Sequence, residues 1–371
     1  MLKIIGLAAA GLLLAALLAL AAIYLWKNHG PDRKDLAADI ARKVARWQGS
    51  DSPADVVVAI VRDGEGRVLS HGPGRADGTT LFQIGSISKV FTTLLLQRLV
   101  DDGRLSMNAT LAELIGERYP LAPSVAGITL RQLATHTSGL PTVPQYLEDE
   151  VIRRVGAENI MTDPYNHMTR EEVLVYLANP VGGEKPGSFA YSNYGMGLLA
   201  HVMELVTGKD YPELLREQIF DPVGMRDSHG DLREDVARRL IQGHDAAGNP
   251  APPWRFSSLA GAGSITSNAE DLIRFISAEF DPASPLADSL ARQRERQPKA
   301  PVALGWFTPA PHDWIEGNSG ILWHNGAVNG YFAYLAIDPE RRIGVAVLAN
   351  RQKDVTALGS TIMRLARTQS W

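Results

Sequence analysis

Strand-forming sequence sits at both ends of this chain while its middle reads as mostly helical, so any fold must bring the two ends together. Val56 to Arg62 is an apolar, β-branched run. Asp63-Gly64-Glu65-Gly66 and then Arg67 to Ser70 follow it, and an Asp-Gly pair between such flanks predicts a β-hairpin. Towards the other end, Gly320 to Trp323, Tyr331 to Ile337 and Ile343 to Leu348 are apolar runs. Asp338-Pro339-Glu340-Arg341 supplies the turn between the last two. The implied class is α+β: one sheet assembled from both ends, with a mostly helical insertion and a cleft between the two.

Helical patterns fill the rest. Leu36, Ile40, Val44 and Trp47 recur at helical spacing within Asp35 to Trp47. Gly85 opens a helix from Ser86 to about Asp102, apolar along Val90, Leu94, Leu95 and Leu99. Thr129-Leu130-Arg131-Gln132 and Thr169-Arg170-Glu171-Glu172 fit the capping-box pattern, and Gly195 to Val206 and Tyr211 to Ile219 read as further helices. Pro141 to His167 shows no clear period and is expected to be a long loop, the kind that often serves as a lid or binding loop.

Composition narrows the function. Of 371 residues 45% are hydrophobic and 21% charged, which is enough for a full core. The net charge of −4 offers no basic surplus for phosphates, so nucleic acid is not an expected partner. With no cysteine there is no disulfide, no thiolate metal site and no cysteine nucleophile. Ile4 to Trp26 is an uncharged stretch of 23 residues, rich in Leu and Ala and ending on Tyr24 and Trp26. A signal core runs about 7–15 apolar residues and a span needs about 20, so residues 1–30 are expected to form a transmembrane or signal-anchor helix. Residues 31–371 would then form the catalytic domain. Cleavage at Ala19-Leu20-Ala21, giving a secreted form, is the alternative. Basic residues beyond the span would favour an inward orientation, but long domains translocate largely regardless of charge.

Three short motifs carry chemistry. Ser86-Ile87-Ser88-Lys89 is the one S-x-x-K in the chain, at the start of a predicted helix where residues three apart share a face. A serine hydroxyl needs a neighbouring base, and a lysine serves if its pKa is lowered. Tyr191-Ser192-Asn193 follows Pro186-Gly187 and precedes a helix; a Tyr can shuttle a proton and an Asn can both donate and accept. His324-Asn325-Gly326 lies on a predicted strand, where Gly allows a close approach of substrate backbone. Taken singly, each has an ordinary reading: a solvated helix face, a turn with a packed Tyr, a core histidine.

In this order and spacing the motifs resemble the serine β-lactamase and penicillin-binding superfamily, closest to its class C β-lactamase, D-Ala-D-Ala carboxypeptidase and family VIII esterase branch. The resemblance runs from about Val56 to Leu348. Phe82-Gln83-Ile84-Gly85, His136-Thr137-Ser138-Gly139-Leu140, Pro222-Val223-Gly224-Met225, Gly261 to Phe275 and Leu304-Gly305-Trp306 fit the same template. It implies a β-lactamase/transpeptidase-like fold with an antiparallel sheet flanked by helices. Ser86 would be acylated, with Lys89 as its base and Tyr191 relaying the proton. Asn193, His324, Asn325 and Gly326 would bind substrate, and the backbone N–H groups of Ser86 and Ala327 would form the oxyanion hole. No metal or organic cofactor is expected. Substrates would be D-amino-acid peptides, β-lactams or esters. A slowly turning-over penicillin-binding sensor or scaffold, and a class C-like β-lactamase, are the alternatives. Where β-lactamases of this branch carry K-T-G, this chain carries His324-Asn325-Gly326. A fixed charge would become a titratable one facing the nucleophile, so carboxylate-bearing substrates would bind less well as pH rises past neutrality.

Overall fold

The computed structural model describes residues 14–23, 35–50, 52, 54–158, 163–180, 182–297, 300–309 and 320–369. Five antiparallel strands form the main sheet: β1 (Val56–Arg62), β2 (Glu65–His71), β3 (Leu322–Val328), β4 (Tyr331–Asp338) and β5 (Ile343–Ala349), in the order β2-β1-β5-β4-β3. The first strand lies directly against the last, Val56 opposite Ala349 and Arg62 opposite Ile343. The hairpin turn is tighter than the sequence suggests. Glu65 already pairs with Arg62, leaving only Asp63 and Gly64 as the loop, with φ of 53° and 82°. Two positive φ values match the right-handed twist of the flanking strands.

Side-chain alternation divides the central strands between two cores. Val56, Val58, Ile60, Val345 and Val347 face one side, which is covered by α1 (Leu36–Gln48) and α5 (Thr356–Thr368) through Ile40, Val44, Ile362 and Met363. Val57, Ala59, Val61, Leu335, Ala346 and Leu348 face the other side and join the larger core. At its centre lies α2 (Ser88–Asp101), buried at every position from Ser88 to Gln97. Its buried positions include Ser88, Lys89, Thr92, Thr93 and Gln97 as well as the apolar residues. Also in this core are α3 (Asn193–Thr207) and α4 (Ala269–Phe280).

Three expectations are affected. Both capping boxes form, at Thr129/Gln132 and Thr169/Glu172. The stretch from Pro141 to His167 is not simply a loop, since Gln145–Val155 is an α-helix. Most of the expected membrane helix, including both its ends, lies outside the described residues, as does the proposed boundary at residue 30. Its described part, 14–23, is helical with Leu14, Leu17, Leu18, Leu20 and Ile23 exposed. Among the described residues no helix is long and apolar enough to cross a membrane.

Candidate active site

Ser86 sits in a single 3₁₀ turn, Gly85–Ile87, that leads into α2. From Leu81 to Gln97 it is the one residue that is not buried. Lys89 lies one turn further on, fully buried, with Nζ 2.9 Å from Ser86 Oγ and donating to the Ala262 carbonyl at 2.6 Å. Burial drives its pKa well below that of a free lysine. Nearby serines are otherwise engaged. Ser88 Oγ accepts from Ile265 N at 3.0 Å, and Ser192 Oγ donates to Pro141 O at 2.6 Å.

Backbone proximity explains two glycines. The turn at Gly85 and strand β3 at Gly326 touch main chain to main chain. A Cβ on Gly326 would stand 1.9 Å from Ile84 O and 2.9 Å from Ser86 N; one on Gly85, whose φ is 53°, would stand 2.8 Å from Ala327 N. The Ser86 and Ala327 amides are thereby brought to the same place beside the serine.

Tyr191 enters from the insertion. Its ring lies 4.9 Å from Lys89 Nζ. Burial raises its pKa, while a hydrogen bond with Ser86 pulls the other way. Two residues along, Asn193 opens α3; its Nδ2 donates to Tyr165 Oη at 2.9 Å, and its Oδ1 is buried without a hydrogen-bond partner among the described residues. Tyr165 stacks on Phe256 at 4.9 Å and meets Trp254 edge-on at 5.6 Å, forming an aromatic wall. The motif analysis did not include these three. The Tyr191–Asn193 segment is tied to the irregular run 136–142: Ala190 N donates to His136 O at 2.8 Å, Thr142 Oγ1 to Tyr191 O at 3.0 Å and Tyr194 N to Thr142 O at 2.8 Å.

The third motif behaves differently from expectation. His324 faces the Ser86 side but is only 2% exposed, packed on Phe307 at 4.9 Å and Tyr191 at 6.4 Å. Its Nδ1 bonds its own strand at the Asn325 carbonyl, 2.5 Å away. Burial, and next the charge of Lys89, bring its pKa down to about 3, so the ring is neutral throughout the range in which it was expected to titrate. Asn325 points the other way, because neighbours on a strand alternate. Its Nδ2 donates to Thr356 Oγ1 of α5 at 2.9 Å, so its side chain is not turned towards Ser86, contrary to the binding role expected of it.

An α+β fold, a serine bonded to a buried lysine, and a tyrosine across from both define a serine hydrolase of the penicillin-recognising class. The beta-lactamase family model matches residues 40–368, and the chain belongs to that family. It is 31% identical over 344 residues, 85% of each chain, to the D-alanyl-D-alanine-carboxypeptidase/endopeptidase AmpH of Escherichia coli (strain K12). It is similar in structure to the class C β-lactamase from Rhodobacter sphaeroides, with a TM-score of 0.71 and 25% identity over 90% of this chain and 98% of that one. The β-lactamase/D-alanine carboxypeptidase from Pseudomonas syringae shares the fold, with a TM-score of 0.71 and 21% identity over 89% and 96%.

Proposed function

We propose that this chain hydrolyses amide bonds of D-amino-acid peptides, and related esters, through an acyl-enzyme on Ser86. The observation that carries the reading is the 2.9 Å contact between the fully buried Lys89 amine and the part-exposed Ser86 hydroxyl. Burial brings the Lys89 pKa well below that of a free lysine, so its amine gives up and takes back a proton more readily, whereas burial keeps the Tyr191 phenol protonated. The division of labour follows. Lys89 takes the Ser86 proton as Oγ attacks the carbonyl carbon, and the Ser86 and Ala327 amides hold the oxyanion. Tyr191 passes a proton to the departing amine as the C–N bond breaks. Water then attacks the ester carbonyl and frees Ser86. The unpartnered Asn193 Oδ1 is suited to accept a substrate amide N–H. The similarity to a D-alanyl-D-alanine carboxypeptidase/endopeptidase supports the substrate class.

A panel of a D-Ala-D-Ala peptide, a D-aminoacyl anilide, a short-chain p-nitrophenyl ester and a chromogenic cephalosporin tests this. The peptide should turn over, an acylating probe should label the Ser86 peptide, and Ser86→Ala should abolish both. Label on another serine, or turnover by Ser86→Ala, refutes the reading. The uncharged 23-residue stretch supports membrane attachment of an extracytoplasmic domain, residues 31–371. Fractionation and protease accessibility of spheroplasts check it. A soluble mature form or a protease-protected domain would overturn it.

A further inference from the structure

His136 is buried, lies within the His136–Leu140 motif, and has no part in the proton transfers above. Three features tie it to Tyr191. Its main-chain oxygen accepts from Ala190 N at 2.8 Å, and its ring Nδ1 accepts from Ser192 N at 3.1 Å. The residue is thus bonded on both sides of Tyr191, and its ring lies against the phenol ring at 4.5 Å, tilted by 32°. Its backbone has φ of 56°, a left-handed conformation that His, like Asn and Asp, takes more often than most residues.

We propose that His136 is the positioning residue for Tyr191, its bare Nδ1 clamping the Ser192 amide so that the phenol is aimed at Ser86. The inference rests on the acyl-enzyme reading above. Because Ser192 N–H occupies Nδ1, the ring is the Nε2–H tautomer. Burial, and next the charge of Lys89, hold the ring pKa well below the usual histidine value, which keeps that lone pair free. His324, the other imidazole beside Tyr191, bonds a carbonyl through Nδ1 and so has the opposite tautomer. One ring accepts from the tyrosine segment; the other only packs on it.

The experiment uses the full chain and a p-nitrophenyl ester, with Ser86→Ala as control. His136→Asn places an acceptor near Nδ1 and tolerates positive φ. His136→Gln puts its oxygen too far out, and His136→Phe keeps a ring without an acceptor. The expected kcat falls are about 10–100-fold for Phe and Gln and under about fivefold for Asn, with KM changed by less than about threefold. In a Tyr191→Phe background, His136→Phe should cost less than about twofold more, because the residue acts through the tyrosine. Wild-type kcat in His136→Phe, equal rates for Asn and Gln, or a full additional loss in the Tyr191→Phe background would each overturn the proposal. Should His136→Phe not fold, His136→Gln in the Tyr191→Phe background decides: its added loss should likewise be under about twofold, and a full added loss overturns the proposal. Activity retained by Ser86→Ala would refute the acyl-enzyme reading instead.

Discussion

Lys89 and His324 both lie beside the Tyr191 ring, and both are buried basic side chains with lowered pKa values. Only one of them has a nucleophile within reach. Lys89 lies 2.9 Å from Ser86 Oγ, while His324 spends its Nδ1 on the carbonyl of the adjacent residue. Burial lowers the pKa of both; geometry decides which of them has a proton to take.

The sharpest test of this contrast is Lys89→Ala, which should slow acylation by about 10²–10⁴-fold, measured with a labelled penicillin or an ester burst. Near wild-type acylation would break the comparison. Next comes Gly326→Ala. Its Cβ would meet Ile84 O at 1.9 Å, so β3 must retreat from the serine turn and take the Ala327 amide with it. The expected loss in kcat is about 10²–10³-fold, the usual worth of one oxyanion donor. His324→Leu, by contrast, should cost under about tenfold, since it removes packing and a hydrogen bond to its own strand but no hydrogen bond to Ser86. Smallest of all, the ratio of penicillin to ester turnover should stay constant within about twofold between about pH 6 and 7.5. With its pKa near 3, His324 stays neutral throughout that window. A ratio that falls with rising pH would restore a charged His324.

Much of this was readable in the residues, for local reasons. The Asp63-Gly64 turn, the apolar strands and the Thr129 and Thr169 caps all depend on neighbours within four positions. The helix Gln145–Val155 was missed because Pro144 at its N-cap makes no side-chain cap bond, although Leu147, Val151 and Val155 mark a stripe between Pro144 and Gly156. The opposite directions of His324 and Asn325 follow from strand alternation, and applying it would have removed Asn325 from the binding residues in advance. Other features were not legible. Tyr165 joins Trp254 and Phe256, and His136 meets Ser192, only because distant segments fold together. The burial of His324 needs Phe307 and Tyr191, which no spacing rule connects.

The pairing of the first strand with the last also sets an order of events. β1 lies between β2 and β5, and β5 follows the other four strands in sequence. Without Ile343–Ala349, β1 has no central partner, and nothing joins β3 and β4 to the rest of the sheet. Closing so long a loop is entropically expensive, and contacts of this sequence separation slow folding. A truncation before β5 should therefore yield an inactive, protease-sensitive product instead of a weakened enzyme.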